Sequence, residues 1–309
     1  MGTDARVLRT RTILLWGAGL LVVAALAATL LLTLLGGGRP EDSARLEALK
    51  TAANIVVGTG GAAALLLAAR RQRSAELDLA QKDHDATERR ITEIYGKAAD
   101  QLGSDKAPVR LAGLYSLERL AGGYPEHRQT IVNVLCAYLR MPVEDADQEE
   151  AQVRRTAQRI LLLHLRPGKP EQPSDAFWPD IDLDLSGARL VGLTLTHCSI
   201  RSLACYETTF FELTSFRGTR FRSKADFNKA HFEHRADFRG VEFVDGCETF
   251  NGAVFAGPAD FGTKSAARLT GAEAEPGFPR TWPQGWEERA GTGRSQLTRK
   301  DEPGQPARR

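Results

Sequence analysis

Cysteine is nearly absent, with 4 residues in 309, beside 2 methionines and 4 tryptophans. That excludes a secreted scaffold stapled by disulfides. A surplus of one charge is also missing. Lys and Arg number 41 against 39 Asp and Glu, for a net charge of +2, so no overall field advertises nucleic acid or an acidic partner. Wholesale disorder is excluded as well, because 42% hydrophobic and 26% charged residues are ordinary for a chain that buries a core. Absent too is any acid/base pair, nucleophile motif or metal-ligand spacing in the helical part. The reading is of a non-enzyme without catalytic, cofactor-binding or metal-ligating residues.

What is present begins with a long apolar run. Ile13–Leu35 holds 23 residues without a charge. As a helix it spans about 34 Å, enough for a bilayer core of about 30 Å. It is longer than a signal-peptide core, although Arg6, Arg9 and Arg11 precede it. A second run, Thr51–Ala69, has Asn54 as its one amide and is rich in Gly and Ala, which suits close helix contact in lipid. Asn54–Ala63 also looks like a strand entering a GxGxxA dinucleotide turn. That turn needs a βαβ unit, whereas the polar, helix-forming RRQRSAELDLAQ follows. The two runs are read as a transmembrane hairpin within residues 1–70, at about 13–35 and 51–69.

Arg6, Arg9 and Arg11 precede the hairpin, and Arg70, Arg71 and Arg73 follow it. The basic bias places both termini inside and the Gly36–Lys50 loop outside. The expectation is a two-pass protein of the inner (cell) membrane with cytoplasmic termini.

No Gly or Pro interrupts Ala62–Tyr95, so the second membrane helix is expected to continue beyond the bilayer. Leu77, His84, Ile91 and Ala98 repeat every seven residues, with Ala80, Thr87 and Ile94 between. These are poor coiled-coil seams, and the helix is read as packing on its own domain. Three further helices follow: Pro108–Ala121, entered after Ser104-Asp105 and stopped by Gly122-Gly123; Pro125–Leu139, with Ile131, Val134, Leu135 and Tyr138 on one face; and Glu149–Leu165, ended by Pro167-Gly168. Together they predict a helical bundle over 71–166, in which His164 is a satisfied or rim residue. PVRLAGLYSLERLA looks like one HEAT-type helix, but a single copy cannot bury its face and is read as bundle core. Residues 167–180 are a linker.

A new period then starts. Leu185, Leu190, Leu195, Ile200, Cys205 and Phe210 fall every five residues, and Phe216, Phe221, Phe227, Phe232, Phe238, Phe243, Phe250, Phe255 and Phe261 continue the series with small slips. Two residues before each lies a small or apolar residue in every case but one, Glu248. Five fits neither a helix nor a flat strand. It needs a chain that turns a corner every five residues with two side chains inside, which is a solenoid signature. Glu248 is read as a bulge residue turned outward.

ADF at 225–227, 236–238 and 259–261, with Leu-Ser-Gly-Ala-Arg at 185–189, resembles the pentapeptide-repeat family. The resemblance implies a right-handed quadrilateral β-helix over 181–262, with four repeats per coil and just under four coils. The segments ITEIYGKAADQLGSDKAPVRLAGLYSLERLA, HRQTIVNVLCAYLRMP, QRILLLHLRP and FWPDIDLDLSGA, after two apolar runs, are similar to membrane-anchored bacterial members of that family. Their activity is undefined, so the resemblance speaks to architecture.

An interior filled by Leu and Phe leaves no concave pocket of ligand size. Binding then falls to the outer faces or the helical domain, and a continuous sheet face with an exposed coil end suits a protein partner. His231 and His234 form an exposed HxxH, a weak metal signal, and His197 and Cys198 point to opposite sides of one wall. The expected function is a membrane-tethered cytosolic scaffold, with the lipid bilayer and a cytosolic or membrane protein as partners. The alternatives are a DNA mimic acting on a topoisomerase, as some pentapeptide-repeat proteins are, and a regulator with a site in the bundle. Residues 181–262 carry 11 acids and 9 bases with interspersed signs, a poor imitation of a duplex. The Gly, Pro, Glu and Arg of 263–309 predict a disordered tail, in which Trp282 and Trp286 either cap the open coil end or dock on a partner.

Overall fold

The structure is a computed structural model and describes residue 30 and residues 42–142, 148–244, 248–291 and 293–300. Four helices open it: α1 (Asp42–Leu102), α2 (Ala107–Gly123), α3 (Arg128–Arg140), preceded by a 3-10 turn at Pro125–His127, and α4 (Gln148–Leu165). The chain forms two compact units, Met1–His84 and Asp85–Arg309, and α1 belongs to both. The expected first span, 13–35, lies outside the described residues apart from Leu30. The second, 51–69, falls within α1, where Leu65, Leu66 and Leu67 are exposed. Among the described residues no helix is long and apolar enough to cross a membrane.

The first unit's described residues from Ala64 to His84 are all exposed. Packing of α1 on its own domain, expected for the whole stretch, holds among the described residues only at its C-terminal end, in the second unit. There Ile91 and Ala98 are buried, and Ile94, Tyr95 and Leu102 pack partly. Gly113 of α2 allows this contact, because a Cβ there would lie 2.9 Å from the Ala98 carbonyl oxygen. Helix α3 is apolar on two sides. Ile131, Leu135 and Tyr138 are buried as the spacing predicts, and so are Val132, Cys136 and Leu139. Helices cover one side and the first solenoid coil the other.

After a short hairpin, β1 (Gly168–Lys169) with β2 (Gln172–Pro173), the chain winds into a β-solenoid of parallel strands. The first face holds β3 (Asp182–Asp184), β6 (Ser202–Ala204), β10 (Ala225–Asp226) and β14 (Glu248–Thr249). The second holds β4 (Arg189–Val191), β7 (Thr209–Phe211), β11 (His231–Phe232), β15 (Val254–Phe255) and β17 (Glu273–Ala274). The third holds β8 (Thr214–Ser215), β12 (Ala236–Asp237), β16 (Ala259–Asp260) and β18 (Arg280–Thr281). The fourth holds β5 (Ser199–Ile200), β9 (Arg220–Phe221) and β13 (Glu242–Phe243). It makes about four turns, consistent with a pentapeptide-repeat β-helix.

The register explains the five-residue code. Leu190, Phe210, Phe232 and Phe255 are direct partners on successive coils, so like residues stack into columns. Phe210 and Phe232 lie 4.7 Å apart at 7°, and Phe232 and Phe255 4.9 Å apart at 3°. Rings from neighbouring columns meet edge to face, as Phe227 and Phe238 do at 88°, and both geometries are favourable for aromatic pairs. The corners need left-handed backbone. Gly187, Glu207, Lys229, Gly252 and Gly271 occupy one corner on successive coils, all with φ between 54 and 74°. Glycine adopts this without cost, whereas Glu207 and Lys229 hold it under strain.

Two expectations are corrected here. Glu248 points inward and is 4% exposed. The parallel register that pairs it with Ala225 fixes its Cβ on the inner side, and Arg268 supplies a partner that lets it stay. The described residues between 263 and 300 include four strands, β17, β18 and the two of a closing hairpin, where a disordered tail was expected, and residue 292 lies outside the described residues. Ala267 and Leu269, then Ala272 and Ala274, are buried and continue the two-inside pattern into a fifth, partial coil. An antiparallel hairpin, β19 (Trp286–Arg289) with β20 (Ser295–Arg299), then extends the second face from β17.

Candidate interaction surface

Both ends of the solenoid are closed. At the start, helical side chains bond the backbone groups that a preceding coil would occupy. Gln129 acts like a strand rung, because its Nε2 donates to the Asp182 carbonyl at 2.9 Å and its Oε1 accepts from the Asp182 N–H at 2.9 Å. Arg154 Nη2 donates to the Arg189 carbonyl at 3.2 Å, Gln158 Nε2 to that of Val191 at 3.4 Å and Arg166 Nε to that of Thr196 at 2.8 Å. The bundle thus caps the first coil of the solenoid. Arg154 also donates to the carbonyls of Tyr138, Leu139 and Met141 at the end of α3. Nearby, the Tyr138 hydroxyl donates to Glu150 Oε2 at 2.8 Å, and Arg110 pairs with the same oxygen at 3.2 Å. Burial first, then Glu150, pushes the Tyr138 phenol upward.

At the far end Trp282 covers the last rings, 5.4 Å from Phe255 and 5.8 Å from Phe261. Its Nε1 donates to Glu288 Oε1 at 2.9 Å. Arg280 donates to the carbonyls of Phe255 at 3.0 Å and Gly257 at 3.1 Å, the first of which also accepts from the Glu275 N–H of the last coil at 3.0 Å. Trp282 therefore has the capping place. The open coil end expected as a binding feature is closed by residues 263–300.

The remaining singled-out residues are placed as follows. His164 is buried, its Nδ1 2.7 Å from the Ala176 carbonyl oxygen and its Nε2 2.8 Å from Glu118 Oε1, and its ring stacks on Trp178 at 3.8 Å. His231 lies 3.2 Å from Glu233, and His234 Nδ1 accepts from the Glu212 N–H at 3.3 Å. His197 lies over Gly218 and is exposed, whereas Cys198 is buried. Among the described residues no group of three or more His, Cys, Asp or Glu is placed to hold a metal ion. Trp286 is half-buried against the core at the end hairpin.

With both ends covered, the lateral faces are the exposed part of the solenoid. The winding sorts charges that the sequence intersperses. The second face carries Glu212, Glu233, Glu273 and Glu275, with Arg294 pairing the last two at 3.6 and 3.3 Å. The same face exposes Val191, and Arg189 lies 4.7 Å over the Phe211 ring. The third face is basic. Exposed Arg166, Arg217, Arg235 and Lys264 stand there with half-buried Arg239, against Asp237 and Asp260. Burial alone would raise the Asp237 carboxyl, but the hydrogen bonds from Arg239 outweigh it and hold the group below its ordinary range. The fourth face is balanced by pairs such as Arg220 with Glu242 at 2.6 Å.

Sequence reading missed Gln129, Arg154, Gln158 and Arg166. A signal existed for two of them. Arg154 and Gln158 are four apart among Val153, Ala157 and Leu161, which puts polar groups on the buried face of a helix. The chain matches no protein-family model, and no curated protein and no solved structure matches it.

Proposed function

We propose that the chain is a membrane-tethered scaffold, without catalysis, that uses its solenoid to bind a protein partner. One observation carries the reading. The solenoid interior is filled by stacked Phe and Leu side chains, while the outside presents polar side chains in register from coil to coil. Such ladders are what repeat proteins use for recognition. Tethering is supported by α1. Ala64, Leu65, Leu66, Leu67, Ala68 and Ala69 are exposed around its whole circumference, and a helix apolar all round wants an apolar phase. Arg70, Arg71 and Arg73 follow directly, as expected on the cytoplasmic side of an inner-membrane span. The two-pass arrangement then leaves the bundle and solenoid in the cytoplasm.

Proximity labelling from a ligase fused after residue 309, in the native host, tests the reading. A reproducible set of cytosolic or membrane proteins supports it, and a random set defeats it. Extraction of the chain by alkaline carbonate, or modification of a cysteine placed near residue 300 by an impermeant external reagent, defeats the tethering and topology in turn.

A further inference from the structure

The corner between the third and fourth faces carries guanidinium groups at three successive levels. Backbone hydrogen bonds run straight down it. The His197 N–H donates to the Arg217 carbonyl at 2.8 Å, and the Gly218 N–H to that of Arg239 at 2.9 Å. Arg217 and Arg239 are therefore equivalent positions on neighbouring coils, about 4.8 Å apart. Thr196 is the equivalent position one coil earlier, and there Arg166, the residue after α4, bonds its carbonyl at 2.8 Å. Like charges stacked at this spacing repel.

The acids on the third face do not neutralise the column. Asp237 and Asp260 both lie against Arg239, at 2.6 and 3.5 Å. Arg217 is exposed, and the carboxylate it influences, Asp237, already takes two side-chain hydrogen bonds from Arg239. Gly218 and Gly240, which follow Arg217 and Arg239 at this corner, add no side chains beside the column. The result is a strip of guanidinium groups in which both carboxylates of the face sit against Arg239 and Arg217 is left exposed.

We infer that this corner is the docking site for an acidic, extended segment of a partner protein, its carboxylates received by Arg217 and its neighbours. The inference rests on the reading of the solenoid as an interaction module and names the partner's chemistry. A guanidinium fork matches a carboxylate bidentately. An extended segment with acids on alternate residues places them about 6.7 Å apart, within reach of arginines on successive levels. A nucleic acid is disfavoured because residues 181–262 carry 11 acids against 9 bases, so the cations that a long polyanion needs along its length are confined to one short strip, which a short acidic segment fills without crossing the acidic faces.

The test uses the full chain in detergent and a fluorescein-labelled oligoglutamate peptide, read by anisotropy. The unaltered chain binds, and binding falls as salt rises. Arg217→Glu weakens it by roughly ten- to a hundredfold, and Arg217→Lys weakens it less. Arg119→Glu, the same charge change at an exposed residue of α2, leaves it unchanged. Equal weakening by both charge reversals, or none by Arg217→Glu, overturns the inference. So does Arg217-dependent binding to phosphatidylserine vesicles without binding to the peptide. If proximity labelling returns the same partners for Arg217→Glu as for the unaltered chain, this inference falls and the scaffold reading stands. A random labelling set with intact, Arg217-dependent peptide binding defeats the scaffold reading alone.

Discussion

Arg154 Nη2 of α4 donates a hydrogen bond to the backbone carbonyl of Arg189 on β4 at 3.2 Å, tying the last helix of the bundle to the first coil of the solenoid. The same guanidinium bonds three carbonyls at the end of α3. One buried fork thus satisfies helix-terminal acceptors and a sheet edge together. Buried helical and solenoid side chains also form one continuous core, so the two parts are expected to unfold as one cooperative unit.

Arg154→Met is expected to destabilise that unit by about 2–5 kcal/mol, because it strands buried carbonyls without donors. Arg154→Lys should recover little, since an ammonium cannot reproduce the planar fork. Urea unfolding followed by far-UV circular dichroism, reporting helix and sheet together, measures this. Two separated transitions in the unaltered chain, or a loss below about 0.5 kcal/mol in the variant, contradicts the junction's importance.

The thiols offer an independent check on packing. Cys136, Cys198 and Cys205 are buried, and none is in a disulfide. Burial pushes Cys136 and Cys198 up to about 12 and raises Cys205 well above its ordinary value. At pH 8 they are protonated and shielded, so iodoacetamide should modify them only at the rate of unfolding. Cys247 lies outside the described residues. Mass spectrometry of peptides from a labelling time course reads the three sites separately. Rapid native modification of Cys198 or Cys205 would refute the filled interior.

Asp237 gives the pH dependence of the third face. Its carboxyl is held below the ordinary value by Arg239 despite burial. A lowered native value means that the contribution is fully present above the unfolded value of about 3.9, and is lost as pH falls through the native one. Asp237→Asn should therefore lower the melting temperature at pH 6 and converge on the unaltered chain toward pH 2. A constant difference across that range would show that the ion pair contributes nothing.

Much of the solenoid was legible because its code is strict. Each corner demands two inward side chains, and Phe210, Phe216, Phe221, Phe227, Phe232 and Phe238 announce their columns, all being fully buried. The fifth coil escaped because Leu269 follows Phe261 by eight residues, and Ala267, Ala272 and Ala274 fill their slots with little hydrophobic weight. In composition such a stretch resembles a tail. The basic strip was invisible for another reason. Arg217 and Arg239 are 22 residues apart, their acidic neighbours dilute them in sequence, and only the register stacks them. The end caps were only partly legible: Trp282 and the polar pair Arg154 and Gln158 on a buried helix face left a signal, whereas Gln129 and Arg166 act on backbone groups, which leave no mark in sequence.

Glu248 tests how firmly the register overrides side-chain preference. Its Oε1 accepts from the Arg268 backbone N–H at 3.1 Å and from Arg268 Nε at 3.2 Å. Its Oε2 is buried without a hydrogen-bond partner, and the other residues at this inward position are small or apolar. A half-satisfied buried carboxylate costs more than an apolar group that fits. Glu248→Leu is therefore expected to be neutral or stabilising by up to about 2 kcal/mol. Arg268→Ala, which removes the carboxylate's ionic partner, should destabilise by about 1–3 kcal/mol. The two changes are coupled, because Arg268 matters only while the carboxylate is present, so in the Glu248→Leu background the loss of Arg268 should cost almost nothing. A double-mutant cycle by urea unfolding measures the coupling directly. If Glu248→Leu destabilises as strongly as the loss of Arg268, the carboxylate is fully satisfied, and the reading of this slot as an internal fault is wrong.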